Sequence, residues 1–139
     1  MGRILALDYG TKRIGVAVSD PLQMIAQQLT TLSTGEIWQF LDDYFAREEV
    51  ELVLIGYPVQ TNGRGGSETL RFINPFIEKF LKRYPSIPLR QVDERFTSKI
   101  AQRLLIEGGF TRSQRQDKGR IDRLSAAIML QEYLNAKKC

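Results

Sequence analysis

Histidine is absent from this 139-residue sequence, and the single cysteine is Cys139, the last residue. The first absence excludes Ser-His-Asp and Cys-His nucleophile systems, histidine general bases and every histidine-ligated metal site. The second excludes a disulfide framework or a cysteine zinc site within one chain, and it suits a reducing compartment. No run approaches the roughly 18 apolar residues of a membrane span. Met1 to Leu7 is a short apolar strand preceded by Arg3 alone, without the long apolar region and cleavage site of a signal peptide. These features predict a cytoplasmic protein with no membrane partner.

What remains for chemistry is carboxylates, hydroxyls, lysines and any metal they hold. Hydrophobic residues make up 42% of the chain and charged residues 26%, enough for a core without staples. The length fits a single domain over residues 1–139. Twenty Lys and Arg against 16 Asp and Glu give a net charge of +4, which is compatible with a polyanionic partner and equally with ordinary solubility.

Arg3 to Leu7 is an apolar run leading to Asp8, and Ile14 to Val18 is a second; the Gly10-containing turn between them predicts a β-hairpin. Met24 to Leu32 reads as a third strand, with Thr30 and Thr31 favouring extended backbone. Over Thr34 to Glu49 the apolar residues Ile37, Phe40, Leu41, Tyr44 and Phe45 keep helical spacing, with Thr34 as the expected N-cap and Glu36 in the first turn. The unbroken Leu52-Val53-Leu54-Ile55-Gly56 run predicts a strand buried on both faces.

Tyr57 to Ser67 reads as a glycine-rich loop. A helix to about Tyr84 follows, with Leu70, Phe72, Ile73, Phe76, Ile77, Phe80 and Leu81 as its apolar face, bent or shortened by Pro75. Leu89 to Val92 is a short strand ending in Asp93-Glu94-Arg95. Thr97 to Glu107 reads as a helix closed by Gly108-Gly109, and Arg120 to Lys137 as a long final helix. The order β-β-β-α-β-α-β-α-α predicts an α/β fold: a mixed sheet of about five strands, the first three antiparallel, flanked by helices.

Three acids fall where such a sheet places functional groups. Asp8 ends the first strand, Glu94 ends the last strand, and Asp122 sits in the first turn of the last helix. Carboxylates on rigid mounts suit Mg²⁺ or Mn²⁺, hard ions that keep waters and substrate phosphates as further ligands. Two such ions about 4 Å apart can clamp the attacking and leaving oxygens of a phosphodiester. Each acid also has an ordinary reading. Asp8 suits a turn, Glu94 a surface charge beside Arg95, and Asp122 the positive end of a helix dipole. Asp93 competes with Glu94, because adjacent strand residues point to opposite faces.

Basic residues flank these acids in three groups: Lys12 and Arg13 on the hairpin turn, Arg64 in the glycine-rich loop, and Arg112, Arg115, Lys118 and Arg120 before the last helix. They are the candidate nucleic-acid contacts, able to neutralise phosphates. A solvated loop with no partner is the plainer reading of the last group. Tyr57 and Phe110 are candidates for base stacking or, more simply, for packing at loop bases, and Trp38 reads as core-facing or semi-exposed on its helix rather than part of a site.

Four ordered motifs give the chain a family resemblance. Ala6-Leu7-Asp8-Tyr9-Gly10-Thr11-Lys12-Arg13-Ile14-Gly15-Val16-Ala17-Val18-Ser19-Asp20 resembles the opening of the YqgF family, also called RuvX, bacterial relatives of the Holliday junction resolvase RuvC. Gly56-Tyr57-Pro58 resembles the family's Gly-Leu-Pro, and Asp93-Glu94-Arg95-Phe96-Thr97-Ser98 its Asp-Glu-Arg-Leu-Thr-Ser. Lys118 to Gln131, with Ile121-Asp122 and Ala126-Ala127, resembles its last helix. One departure stands out: Thr61-Asn62-Gly63 lies where the family commonly has Met-Asp-Gly, so no metal ligand is expected there.

The resemblance implies an RNase H-like fold and metal-dependent phosphodiester cleavage, with the acidic positions carried onto Asp8, Glu94 and Asp122. It implies maturation of the 5′ end of small-subunit ribosomal RNA precursor, free or in ribosomal particles. Resolution of branched DNA, which needs a dimer, is the alternative, so monomer and homodimer both stay open. A non-catalytic ribosome-assembly factor is a further alternative, although a pure binder gains nothing from acids beside phosphates. The Asp-Tyr-Gly-Thr hairpin also resembles the phosphate-binding start of the actin and Hsp70 superfamily, but those folds need a second lobe.

Overall fold

The computed structural model describes residues 2–9, 13–57, 66–93 and 118–137; at 57, 66–72, 93, 118–122 and 137 it describes the backbone alone. Five strands form one sheet: β1 (Arg3–Tyr9), β2 (Arg13–Ser19), β3 (Ala26–Ser33), β4 (Val50–Tyr57) and β5 (Leu89–Asp93). Its order is β3-β2-β1-β4-β5. The first three strands are antiparallel neighbours, and β4 and β5 run parallel to β1. Three helices are described, α1 (Ile37–Arg47), α2 (Gly66–Arg83) and α3 (Lys118–Lys137). The expected mixed sheet is present; of the loop expected over Tyr57 to Ser67, Tyr57 belongs to β4 and residues 66–67 to α2, while 58–65 and the expected helix over 97–107 lie outside the described residues.

Alternation along the central strand divides the core in two. Leu5, Leu7 and Tyr9 join Ile14, Val16 and Val18 on the face covered by α1 and α2, against Leu41, Ile73, Phe76 and Phe80. Ile4 and Ala6 join Ala17 and Leu54 on the other face, beneath Ala126, Met129, Leu130 and Leu134 of α3. Burial of β1, β2 and β4 between two helical layers explains their continuous apolar runs.

The boundaries differ from sequence expectation in informative ways. Thr34 does not cap α1; it lies in a turn, and Glu36 is the N-cap residue without a side-chain capping bond. Glu36 instead accepts the Ser33 backbone N–H at 2.9 Å, tying the turn back to β3. Helix α2 runs through Pro75. Within its described part, Ile73, Phe76 and Phe80 are buried, whereas Leu81 is 48% exposed and off the core face. Trp38 is partly buried, stacked on Phe76 with ring centroids 4.9 Å apart.

Two residues fix the direction of α3. Gln131 accepts the Ala26 N–H at 2.9 Å and donates to the Met24 carbonyl at 3.3 Å, at the start of β3. Arg123 donates to Thr31 Oγ1 at 3.2 Å, near the end of β3. Helix α3 therefore runs antiparallel to β3 and β1. Its N-terminal half lies over the end of the sheet where β1, β4 and β5 finish. The loop entering β3 is pinned by Asp20, whose carboxylate accepts the N–H groups of Met24 (2.7 Å) and Ile25 (2.9 Å). No described helix is long and apolar enough to cross a membrane.

Candidate active site

One row of residues crosses the whole sheet. Thr31 pairs with Gly15, Gly15 with Asp8, Asp8 with Gly56 and Gly56 with Val92. Residues directly opposite each other share a face. Asp8 continues the Ile4-Ala6 parity, so it stands on the α3 face, half-buried, one residue before the end of β1. Both of its cross-strand neighbours are buried glycines. A side chain at 15 or 56 would place its Cβ about 4.5–5.5 Å from that of Asp8.

Asp122 was expected in the first turn of its helix, but α3 begins at Lys118 and the position lies a turn further in. A helix-dipole role at the first turn is therefore set aside, since that turn holds no acid. Position 122 precedes Ala126 by one turn, and Ala126, Met129 and Leu130 mark the buried face of α3. Arg123, its neighbour, reaches the Thr31 end of the row that contains Asp8. The backbone thus brings position 122 to the same end and face of the sheet as Asp8.

Glu94 lies outside the described residues, as do Lys12, Arg64, Arg112 and Arg115. Lys118 and Arg120 are placed by backbone at the start of α3, on the Asp8 end of the sheet. Arg13 opens β2, two residues before Gly15. The structure therefore assembles Asp8, the backbone of Asp122 and the two basic helix-start positions at one sheet end. Among the described residues, no three potential metal ligands gather.

Metal fit can be judged from the carboxylate itself. Asp8 is an oxygen donor on a rigid strand, partly buried, with glycine on both sides. A hard divalent ion prefers oxygen donors of this kind. The sequence has no histidine, and its one cysteine is Cys139. The residues present fit Mg²⁺ or Mn²⁺.

Two features went unnoticed in the sequence. The glycines at 15 and 56 matter only once register places them beside Asp8, and Arg123 only once α3 is docked. The period-2 spacing of Ala6, Asp8 and the later Gly56 gave no direct signal of that row. A hollow of about 440 Å³ lined by Pro75, Glu78, Lys79, Lys82 and Arg83 is flanked by α2, on the opposite side of the sheet from Asp8, and takes no part in this site.

Comparison with solved structures defines the class of protein. The fold matches Thermus thermophilus RuvC bound to a Holliday junction substrate, with a TM-score of 0.62 at 14% identity, over 99% of this chain and 96% of that one. A second Thermus thermophilus RuvC structure matches with a TM-score of 0.55 at 15% identity, over 98% and 96%. The architecture is that of RuvC, an RNase H-like α/β fold.

The sequence then narrows the class. Residues 2–136 match the profile of the RuvX family, described as Holliday junction resolvase, and the chain belongs to that family of RuvC-like nucleases. A relative from Flavobacterium johnsoniae is 51% identical over 99% of both chains, and one from Bacteroides thetaiotaomicron 48% over the same shares. A third, from Porphyromonas gingivalis, is 49% identical over 97% of both. Each bears the name "Putative pre-16S rRNA nuclease".

Proposed function

We propose that this protein is a cytoplasmic, divalent-metal-dependent endonuclease that processes the 5′ end of small-subunit ribosomal RNA precursor, free or within ribosomal particles. The observation that carries the substrate is the 51% identity, end to end, with a relative named for pre-16S rRNA cleavage. The chemistry rests on Asp8, held on the α3 face beside two glycines, with Asp122 brought to the same sheet end by α3. Val92, the partner of Gly56 and two residues before Glu94 in the chain, packs against the α3-face cluster. The motif resemblance carries the third ligand onto Glu94 rather than Asp93.

Bound divalent ions, two in this reading, would supply Lewis acidity and a nucleophilic water at neutral pH. The protein's share is positional. Asp8, Glu94 and Asp122 hold the ions; Lys12, Arg13, Arg64, Arg112, Arg115, Lys118 and Arg120 neutralise the phosphates that flank the cut. Resolution of branched DNA by a homodimer is the second reading, favoured by the description attached to the family.

The two readings separate in one assay. Precursor rRNA fragment and four-way DNA junction are each incubated with Mg²⁺, with Mn²⁺ and with EDTA. Metal-dependent cutting of the RNA supports rRNA processing. Symmetric cutting of the junction alone moves the assignment to a resolvase. Clear binding of RNA with no cutting replaces it with an assembly factor.

A further inference from the structure

Exposed apolar side chains are concentrated in one short stretch. Of the five large ones exposed among the described residues, Leu22, Met24, Ile25 and Leu29 fall within eight residues of chain, and Leu81 alone lies elsewhere. Leu22 is 63% and Ile25 61% exposed. The stretch lies inside the longest uncharged run of the sequence, 15 residues from Pro21 to Gly35. That run comprises the loop after β2 and all of β3, an edge strand whose one partner among the described residues is β2. Edge strands usually carry charge that prevents association, and this one carries none.

The loop is built to hold this display in place. It turns through Gln23, buried, with φ at 59°, a left-handed conformation uncommon outside glycine. The Gln23 amide donates to the Gly2 carbonyl at 2.8 Å and to the Glu51 carboxylate. Asp20 holds the N–H groups of Met24 and Ile25, and Gln131 holds the Met24 carbonyl and the Ala26 N–H. Backbone strain kept in place by surrounding bonds points to a use for the strained segment. Here its product is the exposure of Leu22 and Met24 on either side of Gln23.

We propose that this loop and the β3 edge form a two-fold contact with a second copy of the chain, the apolar cluster of each copy packing on that of the other. Charge and chemistry select this occupant. A nucleic acid calls for cations, and the segment has none. Two chains of net charge +4 repel each other, so neutral surface is where they can meet. The polar side chains Gln27, Gln28 and Thr30 each donate and accept hydrogen bonds, so each can pair with its own kind across a two-fold axis.

Area and register set the character of the contact. A standard interface takes about 800 Å² from each partner, about a tenth of this chain's 8225 Å². An eight-residue strand, about 27 Å long, with one loop supplies less than that, so the dimer is weak. The bulge between Val16 and Ala17 leaves Leu29 outside the ladder, so side chains rather than a continued sheet make the contact. The loop lies beside Ser19, at the opposite end of the sheet from Asp8. The contact is therefore independent of the nuclease reading, and cleavage results do not bear on it.

Sedimentation equilibrium of the full chain, over about 5–500 μM, tests the contact. The weight-average mass is expected to rise from 15.9 kDa towards twice that value, with a dissociation constant on the order of 100 μM. Raising salt from about 0.05 to about 0.5 M should tighten the dimer, because screening removes the repulsion between like-charged copies. Leu22→Glu and Ile25→Glu should each raise the dissociation constant at least about tenfold by burying an unpaired carboxylate. Both side chains are exposed, so Tm should hold. Leu22→Ser, which adds no charge, should give a smaller change in the same direction. Leu81→Glu, on α2, should leave the dimer unchanged.

A mass that stays at 15.9 kDa throughout overturns the proposal and leaves the cluster to a different protein. So does a dimer that Leu81→Glu breaks, or one that neither Leu22→Glu nor Ile25→Glu weakens. A dimer loosened by salt is held by ion pairs, which overturns it as well.

Discussion

Asp8 and Val92 lie in the same row and on the same face of the sheet, with only Gly56 between them. The motif resemblance carries the third acid onto Glu94, one residue beyond β5 (Leu89–Asp93). Glu94→Gln is therefore expected to lower metal-dependent cutting at least about 100-fold, the scale of losing one electrostatic contact to a transition state. Asp93→Asn should stay within about threefold, a small barrier change. Single-turnover cleavage of the precursor rRNA fragment distinguishes them, and the reverse ranking would reassign the ligand.

Asp8 itself should show a sharper split between cutting and binding. Its charge opposes an approaching phosphate unless an ion intervenes. Asp8→Asn keeps the shape and removes the charge, so cutting should fall by at least about 100-fold. Affinity for RNA without metal should hold or tighten. Normal cutting by this variant would dismiss the carboxylate site.

The approach of α3 to the sheet depends on small residues. Ala6 and Ala17 on the strands share a fully buried cluster with Ala126 on the helix, one turn after Asp122. Ala126→Leu forces extra volume into that contact and should cost about 1–3 kcal/mol of stability. Because it lifts the end of α3 that carries Asp122, cutting should fall more than the melting curve suggests. Leu130→Ala leaves a cavity instead, at about 2–5 kcal/mol. It should reduce cutting by less than Ala126→Leu does, both assayed well below their melting temperatures.

These relationships show how far the sequence reaches. Strands β1, β2 and β4 were legible because Ile14-Val16-Val18 and Leu52 to Ile55 carry their burial pattern in the residues themselves. Pro75 does not shorten α2, since packing of Ile73, Phe76 and Phe80 on both sides of it outweighs a lost backbone bond. Thr34 had the right chemistry for a cap, but the turn out of β3 delivers Glu36 to that place instead. The acids could be nominated from strand and helix ends. The glycines beside Asp8 and the placement of Arg123 could not, because register and docking arise from long-range pairing that a linear pattern does not encode.

A last prediction concerns the opposite side of the sheet, where Tyr84 donates its hydroxyl to Asp42 Oδ1 at 2.6 Å and Arg83 pairs with the same carboxylate. Burial first, and then the bond to Asp42, push the Tyr84 phenol up to about 12. The Arg83 hydrogen bond, followed by that from Tyr84, holds the Asp42 carboxyl below its usual range. In the unfolded chain the tyrosine loses its proton near 10.0, while the folded chain keeps it to about 12. Between those values the unfolded state binds fewer protons, so stability falls as pH rises; below that window the contribution is complete. On the acid side the Asp42 contribution is present above the ordinary carboxylate range and is lost as pH falls through its depressed value. Urea unfolding across the alkaline window should show a decline that Tyr84→Phe makes shallower, with Tyr9 and Tyr44, both raised by burial, supplying what remains. Equal slopes in the two proteins would mean that the folded chain does not protect the Tyr84 proton.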